Sequence, residues 1–196
     1  TREGISCAVY EAFPEGAALG VGAWLTVAVN GLCAMQTLGV NQQVMALGFP
    51  SREITLRSGT GKQLGVMPIG GELPDGTGTH TLKRADLHAC LVAEAQARGV
   101  PFHYDKALQS VTEDGNSVVA RFRDGTEVRC DLLIGADGIR SRVREQIDPE
   151  ARAPRYTGLG NVGGFTPADA VPLPAGDYQM VFGKRAFFGY TTAPSG

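Results

Sequence analysis
The sequence predicts an α/β fold with a β-meander and the start of a second, β-rich domain. Three observations carry that reading. Leu132-Leu133-Ile134 is a short, wholly apolar run, the pattern of a strand covered on both faces of a parallel sheet. Arg84 to Arg98 repeats apolar residues at helical spacing. Val118, Ala120 and Phe122 alternate with Val119, Arg121 and Arg123, and Asp124-Gly125 follows as a hairpin turn.

Taken in order, Ile5-Ser6-Cys7-Ala8-Val9-Tyr10-Glu11 reads as a strand closing on an acid, preceded by a helix tail with Gly4 at its C′ position. A glycine-rich loop, Gly16 to Gly22, comes next. Asn30 then suits the N-cap of a helix carrying Leu32, Met35 and Leu38 and stopped by Gly39. Residues 41–80 read as loops and short strands. Ile54-Thr55-Leu56-Arg57 runs into a turn at Ser58-Gly59, with further turns at Pro68-Ile69-Gly70-Gly71 and Pro74-Asp75-Gly76. In the following helix Leu87, Leu91 and Ala95 share a face with Cys90, and Gly99 ends it. The meander fills 107–130, and a helix is expected from Ile139. After Pro149 the texture changes: Pro154, Pro167, Pro172 and Pro174 punctuate strand candidates at Tyr178 to Phe182 and Phe187 to Thr192. That shift divides the chain into domains at 1–150 and 151–196, the second rich in strand candidates. The last three residues read as a turn.

With 196 residues, 43% of them hydrophobic, the chain can build one substantial core or one domain and part of another. A net charge of −2 gives no electrostatic footprint for nucleic acid or an anionic membrane. No apolar run approaches the ~20 residues of a membrane helix, and the first residues lack the build of a secretory signal. The four cysteines (Cys7, Cys33, Cys90, Cys130) lie far apart, which reads as buried thiols in a reducing cytoplasm. His80, His88 and His103 lack metal-ligand spacing, so no metal is expected.

The chemistry is concentrated in Leu133-Ile134-Gly135-Ala136-Asp137-Gly138-Ile139-Arg140-Ser141. A lone carboxylate between small residues at a strand end suits the docking of something polar, with glycines that allow close backbone approach. Capping of the next helix is the rival use of that aspartate. The stretch resembles the DG motif of the FAD-dependent aromatic hydroxylases and epoxidases, single-component flavoprotein monooxygenases of the para-hydroxybenzoate hydroxylase type. Val9-Tyr10-Glu11 is similar to the end of the second strand of their Rossmann-like FAD-binding domain, Leu82-Lys83-Arg84-Ala85-Asp86-Leu87 to their Arg-x-x-Leu helix start, and Asn30-Gly31-Leu32, Leu38-Gly39 and Phe188-Gly189-Tyr190 to further family segments. The resemblance covers nearly the whole chain.

The resemblance implies that Asp137 and Gly138 meet the flavin ribityl chain, Glu11 the adenosine ribose and Arg84 the flavin side of FAD, with Leu108 also binding the cofactor. It implies NAD(P)H as reductant and O2 as oxygen donor, with hydroxylation or epoxidation of an aromatic or polycyclic small molecule. Reduction or halogenation by the same fold, or a degenerate non-catalytic paralogue, are the alternatives. A solvated carboxylate and a surface arginine are the plain readings of Glu11 and Arg84. Among Arg140, Arg142 and Arg144, two are expected in solvent and one on the DG turn or NAD(P)H. Lys184-Arg185 reads as a solubilising loop, and Trp24, Phe182, Phe187, Phe188 and Tyr190 as core or pocket lining. No catalytic side chain stands out, as befits an enzyme whose cofactor carries the chemistry. The family's Gly-x-Gly-x-x-Gly turn and its later Gly-Asp pair do not occur in the expected positions, and no arginine follows Glu11 within Ala12 to Gly22. The chain is therefore expected to be a fragment that binds FAD poorly by itself, lacking helix-dipole and backbone donors for the pyrophosphate.

Overall fold
The computed structural model describes residues 3–171 and 173–194. Thr1 and Arg2 of the expected helix tail, Pro172, and the end of the expected terminal turn lie outside them. The chain forms two compact units, each discontinuous in sequence. The first joins the residues up to Ala17 to Gln96–Val162, and the second joins Ala18–Ala95 to the residues from Gly163 onward. This partition differs from a single cut near 150, because strands after 163 pair with strands before 60.

In the first unit, β1 (Val9–Tyr10) lies parallel to a strand that follows the long helix, Phe102–His103. Of the expected Ile5–Glu11 strand, Val9–Tyr10 is the part that forms a strand ladder among the described residues. Leu108–Asp114, Ser117–Phe122 and Glu127–Cys130 form the expected antiparallel meander, with Ser117–Phe122 central. Ala120 and Phe122 are buried while Arg121 and Arg123 face solvent, as strand alternation requires. Tyr10 stacks on Phe122 at 4.9 Å and on His103 at 4.7 Å. The Asp124-Gly125 turn is clamped: Lys106 pairs with Asp124, and the Thr126 amide donates to Asp124 Oδ1 at 3.0 Å. The Lys106 ammonium and the Thr126 donors hold the Asp124 carboxyl at about 2.

Leu132-Leu133-Ile134 corrects the sequence reading. It forms no strand, and Leu132 and Ile134 are 74% and 79% exposed. An apolar run becomes a buried strand only where neighbours satisfy its backbone and cover its faces, and the described residues place none beside it. The next helix, Arg142–Ile147, begins three residues later than expected, with Ser141 as its N-cap.

The second unit holds the main hydrophobic core. Strand Trp24–Val27 leads directly into helix α1, Val29–Leu38. Asn30 does not cap α1. The first helical bond runs from the Leu32 amide to Ala28, so Ala28 is the cap and Asn30 Oδ1 accepts from Gly31. Gly39 ends α1 at φ 81°. Within the expected loop region lies a second helix, α2, Asn41–Ala46, which buries Val44 completely; its signal was Val40 and Val44 at i, i+4 around helix-forming glutamines. The third helix, α3, Arg84–Ala97, starts in this unit and lays Leu87, Cys90 and Leu91 on the cluster of Val27, Leu32, Val40, Val44 and Leu82.

Two sheets complete the unit. Trp24–Val27, His80–Lys83 and Phe49–Pro50 form one. The other runs Phe187–Thr191, Tyr178–Phe182, Glu53–Ser58, Gln63–Pro68, with the middle pair parallel. Buried hydroxyls bind this region: Ser51 Oγ donates to Thr81 Oγ1 at 2.7 Å, and Thr81 Oγ1 lies 3.3 Å from Thr26 Oγ1. Burial pushes the Tyr178 phenol up, opposed by its hydrogen bond with Thr26. The expected thiol burial is not uniform, since Cys7 and Cys33 are exposed.

Gly48 permits the closest backbone approach in the second unit: a Cβ there would lie 2.4 Å from Thr81 O and 2.9 Å from Leu82 Cβ. Gly48→Ala is expected to destabilise this unit by ~1–3 kcal/mol, read as a lower urea midpoint at unchanged slope. An unshifted midpoint would contradict the packing described.

Candidate functional site
Asp137 sits on the loop entering the six-residue helix Arg142–Ile147, which we label α4. Its carboxylate is held from three directions. Oδ1 accepts from the Ser141 hydroxyl at 2.5 Å, and Oδ2 from the amides of Arg142 at 2.6 Å and Val143 at 3.3 Å. These amides are the orphan donors of a helix start. Ser141 in turn accepts from the Arg144 amide at 3.0 Å. Partial burial raises the Asp137 pKa, but the hydrogen bonds from Ser141, Val143 and Arg142 together outweigh it and leave the carboxyl below its ordinary range.

The flanking glycines have separate jobs. A Cβ on Gly135 would lie 2.5 Å from Val143 Cβ, so only glycine lets the loop pass over α4. Gly138 takes φ 78°, and a Cβ there would meet nothing within 4 Å. The turn therefore faces open space. Arg144 Nη2 donates to Ile139 O at 3.1 Å, and Arg142 pairs with Glu145. Arg144 is thus the basic residue tied to the turn.

Glu11 directly follows β1 in the same unit. Its amide donates to His103 O, and its carbonyl accepts from the Lys106 amide at 2.8 Å, which leads the chain into Leu108. Glu11 Oε1 accepts from the Phe13 amide at 3.0 Å, and Oε2 has no hydrogen-bond partner among the described residues. Leu108 opens the first meander strand, half-buried and opposite Phe122. The structure thus joins the Glu11 segment to the Leu108 segment through backbone bonds, while no hydrogen bond links Glu11 to Asp137 among the described residues.

Arg84 belongs to the second unit. Its amide donates to Ala23 O at 3.0 Å, and its exposed side chain crosses Gly22. A Cβ at Gly22, which has φ 83°, would meet Arg84 Cδ at 3.2 Å. Two open depressions of about 420 and 300 Å³ are lined by none of these five residues. The aromatics expected as core or pocket divide: Trp24 meets Tyr178 edge-on at 5.0 Å, whereas Phe182, Phe187 and Phe188 are 43%, 59% and 66% exposed.

Ser141 is the residue to which sequence reasoning gave no role. Its signal was an N-cap type three positions before Arg144.

FAD presents an adenosine ribose diol, a ribityl chain and a pyrophosphate. Oε2 of Glu11 and the remaining acceptor capacity of Asp137, beside the clear space at Gly138, suit hydroxyl donors. Residues 12–22 supply no cationic side chain for the pyrophosphate. The donor set fits the sugar portions of such a cofactor.

Removing the Asp137 carboxylate leaves α4 uncapped. Asp137→Ala is expected to cost ~1–2 kcal/mol at neutral pH and Ser141→Ala ~1 kcal/mol. Because the folded pKa lies below the unfolded ~3.9, the carboxylate's contribution is complete above that value. It is lost as pH falls through the lower folded value. Urea titrations of wild type and Asp137→Ala should converge in acid, and a constant gap down to ~pH 2 would refute the capping role.

Against known proteins, residues 1–181 match the family model described as an FAD binding domain. The chain is 34% identical over 182 residues to 3-amino-4-hydroxybenzoate 2-monooxygenase of Streptomyces cremeus, covering 91% of this chain and 45% of that protein. It is 35% identical over 161 residues to 6-hydroxynicotinate 3-monooxygenase of Pseudomonas fluorescens, covering 80% and 40%. Among solved structures, Klebsiella pneumoniae HpxO complexed with FAD and uric acid superposes with TM-score 0.69 at 23% identity, covering 97% of this chain and 48% of that one. CtdE in complex with FAD and a substrate superposes with TM-score 0.77 at 18% identity, covering 96% and 48%. The chain spans about half the length of the curated relatives it matches. A family match of this extent, on a fold shared with FAD complexes, leads to one assignment: the chain belongs to the FAD-binding domain family.

Proposed function
We propose that the protein containing this chain is an FAD-dependent monooxygenase that hydroxylates or epoxidises an aromatic small molecule, using NAD(P)H and O2. The observation that carries the reading is the Asp137 carboxylate, fixed by Ser141 and the α4 amides with an acceptor site to spare. Support also comes from relatives whose names specify ring acids as substrates, 3-amino-4-hydroxybenzoate and 6-hydroxynicotinate.

In this reading Asp137 accepts from the ribityl hydroxyls and Gly138 gives them room, while Glu11 accepts from the ribose diol. Leu108 adjoins the adenosine side, and Arg84 lends its positive charge to the flavin side. FAD, when bound, supplies the redox and oxygen-transfer chemistry. The tasks left to the chain are to hold it, to keep water from the reacting centre and to present the substrate. Four free cysteines suit a reducing compartment, and we place the protein in the cytoplasm.

The test uses the full-length protein. Substrate-dependent NAD(P)H oxidation should consume O2 in equal amount. Asp137→Ala should weaken FAD binding at least tenfold by flavin fluorescence titration, the scale of a lost charge-assisted hydrogen bond (~1.5–3 kcal/mol). Glu11→Gln should weaken it several-fold. A colourless protein that takes up no FAD, or an Asp137→Ala variant with undiminished affinity, would overturn the proposal.

A further inference from the structure
Two turns of the second unit lie side by side at one end of its larger sheet. Glu53–Ser58 and Tyr178–Phe182 run parallel with Ser58 opposite Phe182, so the turns that follow them share that end. They are joined there: the Gly59 amide donates to Phe182 O at 2.8 Å, and a Cβ on Gly59 would lie 3.4 Å from Gly183 Cα. Each turn is also braced within itself. The Ser58 amide donates to Lys62 O at 2.8 Å, Arg57 Nη1 to Gly61 O at 3.3 Å, and the Gly183 amide to Ala186 O at 2.9 Å.

This end of the sheet is both aromatic and basic. Phe182 and Phe187 are directly paired on one face of the hairpin, with 6.3 Å between ring centroids. Phe188 leaves the opposite face, stacked on Tyr190 at 5.5 Å. All three phenylalanines are exposed, and so is Leu64 just after the first turn. Among them stand Lys62, Lys184 and Arg185, likewise exposed. Segments 57–64 and 181–188 hold four cationic residues and no Asp or Glu. Arg57 is drawn inward, donating from Nε to the buried Gln179 at 2.7 Å. Among the described residues no carboxylate pairs with Lys62, Lys184 or Arg185. The chain's net charge of −2 conceals this local excess.

Clustered apolar exposure marks a docking surface, and the charge selects the partner. Rings interleaved with unpaired cations match an anionic lipid surface. The phenylalanines enter the boundary between headgroups and acyl chains, while the ammonium and guanidinium groups stay among the lipid phosphates. An acidic peptide would answer the charges but cover the rings on one face of the hairpin alone. A bilayer receives a protruding tip from all sides. The braced turns also leave little to order on docking.

We propose that the paired turns 59–62 and 183–186 dock the protein on the surface of an anionic bilayer. No residue assigned to FAD takes part, so the inference stands apart from the flavoenzyme reading.

The full-length protein is to be sedimented with vesicles of phosphatidylcholine alone and of phosphatidylcholine mixed with an equal part of phosphatidylglycerol. Binding to the mixed vesicles is expected to be about tenfold tighter and to fade at high salt. Lys184→Gln combined with Arg185→Gln should lower that affinity about tenfold, with FAD affinity and the urea midpoint unchanged. Lys184→Arg should retain it, and Phe187→Ser should weaken binding to the mixed vesicles while keeping its salt dependence. Equal binding to the two vesicles, no binding to either, or undiminished binding by the double variant would overturn the proposal. So would a dimer that Phe187→Ser dissociates. Polyglutamate bound as tightly as the mixed vesicles, and indifferently to Phe187→Ser, would assign the surface to an acidic peptide and overturn it too.

Discussion
A carboxylate at the head of a short helix constrains everything around it. Asp137 answers the unpaired amides of Arg142 and Val143, and Ser141 joins it to the Arg144 amide. A six-residue helix has little intrinsic stability, so α4 depends on that cap and on the burial of Val143. The same bonds lock the carboxylate's direction and lower its pKa. Capping and ligand binding, rivals on the sequence, turn out compatible: three protein donors occupy about three of the four lone-pair directions of a carboxylate.

Glycine placement follows from the same geometry. Gly135 is required by Val143 rather than by any ligand, whereas Gly138 is required by its positive φ and opens onto solvent. One motif thus mixes packing and access within four residues. In the second unit the analogous role falls to Gly22, where the Arg84 side chain crosses the backbone. Asp137, Glu11, Leu108 and Arg84 are each positioned by a local backbone feature inside their own compact unit.

Much of this was legible in order along the chain. The meander was readable because alternation at 118–123 and an Asp-Gly turn are local signals, and helix α3 because its period and Gly99 stop are local too. The family motif was readable because its residues are contiguous. Helix α2 was hidden by its brevity, and the cap of α1 was misread because Asn30 favours caps intrinsically while the preceding strand had already set the helix start at Ala28. Ser141 was overlooked because its role exists only once the loop folds back on α4.

The sequence by itself determined the fold class, the meander, the long helix and the residues that carry the family likeness, since all of these are written in local spacing. Tertiary structure alone decided the partition into units, where Tyr178–Phe182 pairs in parallel with Glu53–Ser58 across more than a hundred residues of chain. It also decided that Leu132 and Ile134 stay exposed. Strand pairing and burial depend on which backbone arrives alongside, and no local pattern encodes the neighbour.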